Sequence, residues 1–304
     1  MNASPRADGA LGEVRPQGAV GLFFDLFKLR IGLVIGFTAF AGLAVAPGPA
    51  PAGWRVALLV FAVVASSAAA GAFNQYVERD LDVRMARTRR RPFVTGRLVH
   101  SRRWLALIVF MCAAAVALAA VVANSMAALY TFLGAFVYGV VYTVWLKRRT
   151  PMNIVVGGLA GSFAVLAGAA AVSPVAVGVV PLWLAVVLFL WTPPHFWSLA
   201  IACRSDYEAA GVPMLPAVVG DARAARAVLV GAILLVAASL VPALVGLSWL
   251  YAVTAAASGA YFLRTSAALL RNPSRRTAMA NFHASLVHLT LLLSAAIADA
   301  LLVA

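Results

Sequence analysis

Asn74, Glu78 and Asp82 recur every four residues at the end of an apolar run, in Asn74-Gln75-Tyr76-Val77-Glu78-Arg79-Asp80-Leu81-Asp82. On a helix each lies ~40° round from the one before. The spacing therefore sets three oxygen ligands on one face, where hydrocarbon gives way to water. Carboxylates at that depth are costly unless something binds them. Arginines follow at once: Arg84, Arg87, Arg89, Arg90 and Arg91 all precede Pro92. Hard oxygen ligands beside guanidinium groups point to a diphosphate held by Mg2+. Asp80 falls roughly 200° from Glu78 on a helix and is the weaker ligand candidate. A competing reading pairs the three acids with nearby arginines as a solvated ion network.

Two later stretches carry polar groups of their own. Lys147-Arg148-Arg149 follows Tyr138 and Tyr142, which share a helix face. Taken alone, a positive anchor and an interfacial aromatic belt account for them. Further on, Trp191-Thr192-Pro193-Pro194-His195-Phe196-Trp197 leads to Arg204-Ser205-Asp206-Tyr207-Glu208. Paired prolines remove two rungs from a helix ladder, so a break lining a cavity is expected there. His195 would lie ~16 Å before Asp206 on a continuous helix, deeper than the acidic site. A hydrogen bond within the bundle and a substrate contact both suit that position. His283 and His288, five residues apart, fall on different helix faces and read as packing. Cys112 and Cys203 lie in or at the end of apolar segments and read as inert thiols. Gly157-x-x-x-Gly161 and Ser67-x-x-x-Gly71 read as close helix contacts without chemistry.

The elements that position these residues follow from composition. Of 304 residues 63% are hydrophobic and 11% charged, and the mean hydropathy is +0.95. That composition excludes an ordinary soluble domain and implies an all-α, multi-span membrane bundle. Nine apolar segments can be drawn, at 23–46, 54–77, 103–123, 127–146, 152–173, 179–202, 227–247, 249–267 and 281–303. Each is near the ~20 residues that cross a bilayer as a helix. The net charge of +14 would indicate nucleic acid in a soluble chain. Here the basic residues cluster in alternate connections, and all but Arg55 of the 24 obey one orientation. By the positive-inside rule those connections and the N-terminus are cytoplasmic and the C-terminus is outside. No nucleic acid partner is expected; the lipid bilayer is. Residues 1–19 read as a disordered tail before a single intramembrane domain, 20–304. Ala44-Val45-Ala46-Pro47 resembles a signal-peptide cleavage site, yet the long charged leader favours retention of this segment as the first span.

Taken together, the three stretches resemble the UbiA superfamily of intramembrane prenyltransferases, and within it the heme-modifying branch. The superfamily's Asn-x-x-x-acid-x-x-x-Asp run is matched by Asn74, Glu78 and Asp82, and its heme-branch continuation by Met85, Arg87-Thr88, Arg91-Pro92 and Gly96-Arg97. Tyr142-Thr143, Leu146-Lys147-Arg148, Thr150 and Asn153 match a second pattern. The most discriminating match is Pro193-Pro194-His195-Phe196-Trp197 with Asp206-Tyr207 and the following Ala210-Gly211-Val212-Pro213-Met214-Leu215-Pro216. Two departures stand out. Asp206 lacks a companion aspartate at position 210, and the first span starts Lys28-Leu29-Arg30 where the family has Lys-Pro-Arg.

The resemblance implies a reaction in which heme B, farnesyl diphosphate and water give heme O and diphosphate. It places Mg2+ on Asn74, Glu78, Asp82 and Asp206, as metal-binding and catalytic residues. It makes Arg87, Arg91, Lys147 and Arg148 a cradle for the diphosphate oxygens. Tyr142, Tyr207 and His195 become contacts for the prenyl chain or the heme. A downstream heme A synthase is the implied partner, and the inner membrane of a bacterium is the implied location.

Two rivals stand beside this reading. A prenyltransferase for an aromatic quinone precursor would share the first motif but lack the Pro-Pro-His-Phe-Trp and Asp-Tyr segments. An ion-coupled transporter would place its acids mid-span within inverted repeats, whereas here they gather at span ends.

Overall fold

The computed structural model describes residues 18–302, which fold into helices joined by short connections, with no strand among them. The helices are α1 (Ala19–Phe27), α2 (Leu29–Ala44), α3 (Gly53–Val77), α4 (Arg79–Asp82), α5 (Arg102–Val122) and α6 (Ser125–Phe136). A π-helix, Val137–Leu146, continues α6. Then come α7 (Asn153–Gly157), α8 (Leu159–Val172), α9 (Val179–Ala202), α10 (Arg204–Ala209), α11 (Leu215–Val219), α12 (Asp221–Leu244), α13 (Trp249–Arg271) and α14 (Arg275–Leu302). The expected disordered tail falls outside the described residues as far as residue 17, and α1 begins at Ala19.

Seven of these helical stretches are long and apolar enough to cross a bilayer, and the pair α1–α2, bent by 54°, brings the number to eight. The ninth expected span is the 23-residue helix α13. Thr254, Ser258, Arg264 and Ser266 leave it short of the apolarity of the others. The chain is thus a multi-pass all-helical membrane protein, with eight spans by composition and a ninth long helix packed among them.

The bundle closes on itself because small residues let backbones meet. A Cβ added to Gly168 would overlap the Ala39 carbonyl oxygen, and one on Gly42 would overlap the Val165 carbonyl. Helices α2 and α8 therefore touch main chain to main chain, a contact only glycine permits. The segment 29–44 is in this way an integral wall of the bundle. The expected Gly157 and Gly161 contacts are looser: Gly161 meets Leu188 at ordinary distance, while Gly157 gives room to the Tyr142 ring. The largest apolar cluster joins α2, α8, α9, α12, α13 and α14 around Leu184, Leu235, Tyr251, Phe262 and Leu292.

The expected break at Pro193-Pro194 is absent. Helix α9 runs unbroken through both prolines. Beside the prolines, Thr192 Oγ1 donates to the Leu188 carbonyl at 3.0 Å and Ser198 Oγ to the Pro194 carbonyl at 2.6 Å, whereas the N–H groups that the prolines lack would have met the Phe189 and Leu190 carbonyls. Gly231 of α12 lies against the Pro194 ring, so the proline ring is packed rather than exposed to a cavity.

Candidate active site at one end of the bundle

The ends of α3 and α4, the π-helix and the joint between α1 and α2 converge at one end of the bundle. Helix α3 stops at Val77 and α4 resumes at Arg79, with Glu78 as the hinge at φ −90°, ψ 12°. Amide bonds still bridge the hinge: Glu78 N–H donates to the Asn74 carbonyl at 3.0 Å and Asp82 N–H to the Glu78 carbonyl at 2.9 Å. The four-residue periodicity of Asn74, Glu78 and Asp82 thus survives, and all three side chains turn inward, at 2%, 1% and 1% exposure. Asp80 points the other way, with a side chain 55% exposed, and pairs with Arg148 at 2.8 Å.

Each buried acid meets a cation from another part of the chain. Lys147 Nζ donates to the Glu78 oxygens at 2.6 and 2.5 Å. Arg91 Nη1 donates to the Asp82 oxygens at 2.8 and 2.7 Å. Lys28, in the left-handed conformation at φ 46°, caps α2 and donates from Nζ to Asn74 Oδ1 at 2.7 Å and Tyr138 Oη at 3.3 Å. Burial pushes the Asp82 carboxyl above its usual range, against the pull of the Arg91 guanidinium. The same burial lowers the Lys147 ammonium, and the Glu78 carboxylate opposes that shift. Buried pairs of this kind hold only because each ion has a partner.

The π-helix brings Lys147 here. Nine residues of α-helix would put Lys147 on the face opposite Tyr138, at ~180°. Winding at roughly 4.4 residues per turn closes that angle to about 20°. Tyr138 and Tyr142 accordingly stack at 5.7 Å, and Lys147 Nζ lies 5.7 Å from the Tyr142 ring centroid. Thr143, fully buried, donates to the Tyr138 carbonyl at 2.8 Å and accepts from Asn74 Nδ2 at 3.2 Å. That bond fixes the Asn74 amide so that Oδ1 faces Lys28.

Two cavities open beneath these groups. One, of about 130 Å³, is lined by Lys28, Ser66, Thr131, Tyr138 and Phe196 among others. The other, of about 530 Å³, is an apolar groove between α3, α5 and α6 lined by Phe73, Ile108, Cys112, Phe132 and Phe136. Ala70 and Ala135 line both, so the wall between them is thin.

The structure brings Asn74, Glu78, Asp82, Arg91, Lys147 and Tyr142 to one place. Arg148 sits on the exposed rim with Asp80. Arg87 Nη2 donates to the hydroxyl of buried Tyr207 at 3.2 Å. Asp206 accepts from the backbone N–H groups of Ala86 and Arg87 at 3.1 and 3.3 Å. Among the described residues no three His, Cys, Asp or Glu side chains gather as metal ligands. Any ion held here draws on the Asn74 amide oxygen as well as the carboxylates, a hard oxygen set suited to Mg2+. His195 lies between the Trp191 and Phe282 rings, 4.0 and 4.3 Å away, with Nδ1 2.7 Å from Ser285 Oγ. Both of its ring faces are covered by aromatic neighbours. Lys28, Tyr138 and Thr143 were given no role in the site from sequence. Lys28 could not be told from a positive anchor, and Tyr138 could not be told from an aromatic belt.

Comparison with known proteins gives the family. Residues 35–292 match the UbiA prenyltransferase family. Protoheme IX farnesyltransferase 2 of Paramagnetospirillum magneticum is 54% identical over 278 residues, covering 91% of this chain and 96% of that protein. Protoheme IX farnesyltransferase 1 of the same organism is 49% identical, covering 91% and 97%. A UbiA homologue from Archaeoglobus fulgidus solved with DMAPP and Mg2+ superposes with a TM-score of 0.70 at 17% identity, over 89% of this chain and 98% of that one. A structure of digeranylgeranylglyceryl phosphate synthase gives 0.73 at 17%, over 92% and 98%. These two likenesses concern the fold.

Proposed function

This chain belongs to the UbiA prenyltransferase family, and on that basis we propose that it transfers a farnesyl group from farnesyl diphosphate to a vinyl group of heme B, with water, giving heme O and diphosphate. The observation that carries the chemistry is the buried set Asn74, Glu78 and Asp82 faced by Lys28, Lys147 and Arg91, with Lys28 also lining an adjacent cavity. The acceptor follows from the relatives named protoheme IX farnesyltransferase.

The residues divide the work. Asn74, Glu78 and Asp82, with Asp206 from α10, would hold Mg2+, which when bound supplies positive charge to the leaving diphosphate. Lys28 donates to two neutral oxygens, Asn74 Oδ1 and Tyr138 Oη, and not to a carboxylate. Arg87, Arg91, Lys147 and, from the rim, Arg148 complete the cradle for the diphosphate oxygens. Loss of diphosphate leaves an allylic cation, and the stacked rings of Tyr138 and Tyr142 give it an aromatic wall. The two cavities meeting at Ala70 and Ala135 give the chain an apolar bed that excludes water. A heme vinyl carbon attacks the cation, and water quenches the new one as a hydroxyl with loss of a proton.

The charge pattern supports a cytoplasmic active end in a bacterial inner membrane. A heme A synthase, which oxidises heme O, is the enzyme that would take the product onward. The direct test incubates membranes carrying the protein with heme B and farnesyl diphosphate and reads the product by mass. Addition of one farnesyl group and one hydroxyl group to heme is expected. Prenylation of 4-hydroxybenzoate instead, with heme untouched, would overturn the acceptor assignment.

A further inference from the structure

The joint between α1 and α2 turns on one residue. Lys28 takes the left-handed conformation, φ 46° and ψ 44°, and is the sole non-glycine at positive φ among the described residues. A side chain makes that conformation costly, so it persists where the surroundings hold it. The break also leaves the last carbonyls of α1 without partners from their own helix. Gln75 of α3 supplies them: its Nε2 donates to the Asp25 carbonyl at 2.6 Å and to the Leu26 carbonyl at 3.0 Å. Gln75 is 2% exposed, and both N–H donors of its amide are spent on the joint.

Helix α3 seats the joint at further points. Gly71, one turn before Gln75, lies under it, where a Cβ would come 3.4 Å from Lys28 Cδ and 3.6 Å from the Phe27 carbonyl oxygen. Leu26 and Phe27 share an apolar cluster with Ala68, Ala69 and Ala72. Apolar contact is non-directional, whereas bonds to two successive carbonyls fix the peptide planes just ahead of Lys28. The Lys28 ammonium has three N–H donors, and two go to neutral oxygens, Asn74 Oδ1 and Tyr138 Oη. We infer that Gln75 is a positioning residue that acts through Lys28: it fastens the end of α1, holds the left-handed turn, and so aims the ammonium, whose third N–H meets the diphosphate. That anion comes from the proposed function, and this part of the inference rests on that reading. The fastening of the joint does not.

The test is a double-variant cycle on the full chain purified in detergent micelles. Its first readout needs no turnover: the concentration of inorganic diphosphate that, with Mg2+ present, gives a fixed rise in Tm over each variant's own ligand-free value. Gln75→Met keeps the length and loses the donor, and Lys28→Met loses the charge. Each should raise that concentration about tenfold or more, the scale of one charge-assisted bond. The double variant should stay within about twofold of Lys28→Met alone, because the two changes remove one and the same contact. In turnover, Gln75→Met should raise KM for farnesyl diphosphate about tenfold and leave KM for heme B within about twofold of the parent. General loosening of the bundle would not give that split. Gln75→Leu is read in the same way should Gln75→Met not accumulate. A diphosphate requirement unmoved in the Gln75 variants, or losses that multiply in the double variant, would overturn the role of Gln75. A parent whose Tm does not respond to diphosphate and Mg2+ would sink the diphosphate reading, and this role with it. The expected shifts without heme farnesylation would sink the acceptor assignment and leave Gln75 and Lys28 in place.

Discussion

Lys147 Nζ lies 2.6 and 2.5 Å from the two carboxylate oxygens of Glu78, and both side chains are buried, at 9% and 1% exposure. The two residues are 69 positions apart and come from different spans. Removing one partner of such a pair strands the other ion. Lys147→Met should therefore destabilise the protein by ~3–5 kcal/mol. Lys147→Met with Glu78→Gln should recover most of that loss in thermal unfolding, yet remain inactive. Equal instability of the single and double variants would show that the pair is not the cause.

The π winding between Val137 and Leu146 is what turns Lys147 toward Glu78. Deleting Val140, a half-exposed residue in that stretch, relaxes the extra residue of the π turn toward α-helix and swings Lys147 off the Tyr138 face. Prenyl transfer should fall by at least ~10²-fold, the scale of a lost electrostatic contact to the reacting group. Insertion in the membrane should persist, as read by protease protection. Near-normal turnover in the deletion variant would remove the π-helix from the mechanism.

Asp82 is held by Arg91 through two bonds at 2.7 and 2.8 Å, so its charge and its geometry can be tested separately. Asp82→Asn keeps the shape and loses the charge. It should lower kcat by ~10²–10³ and move the Mg2+ requirement to higher concentration. Arg91→Lys should also be poorly tolerated, because a point charge does not replace a planar fork. Activity of Asp82→Asn at saturating Mg2+ equal to the parent would contradict the ligand role.

Two glycines on α8 make a matched stability test. A Cβ at Gly168 would overlap a backbone oxygen, whereas one at Gly161 would rest 3.7 Å from Leu188 Cδ1. Gly168→Ala should cost ~1–3 kcal/mol by forcing α2 and α8 apart. Gly161→Ala should be close to neutral or slightly stabilising. Comparable Tm values for the two variants would mean that the helices separate freely.

His195 offers the sharpest division between packing and substrate contact. Its ring is stacked on both faces, and Ser285 Oγ has a second partner in the Phe282 carbonyl at 2.7 Å. His195→Phe preserves the stack and should hold KM for heme B within ~2-fold of the parent. His195→Ala should lower Tm instead, by opening a cavity between Trp191 and Phe282. A large rise in KM for heme with His195→Phe would return the residue to the heme site.

The class of protein, most of the spans and the first acidic motif were legible along the chain. Those features are local: apolar length sets a membrane helix, and a four-residue spacing sets a face whatever the rest of the chain does. The family patterns around Lys147 and Asp206 also pointed to stretches that pack near that motif. Which side chain faces which was settled only by packing. Charge alone could not say that Lys147 would meet Glu78, that Lys28 would leave its role as an anchor to cap Asn74, or that Asp206 would grip backbone amides. Helix phase could not place Lys147, because an unmarked π turn shifts every residue after it. Paired prolines did not break α9, and the facing Gly231 gives the Pro194 ring room. Contacts between residues dozens of positions apart depend on how helices rotate and approach. Those angles were fixed by backbone meetings such as Gly168 with Ala39, which no local pattern records.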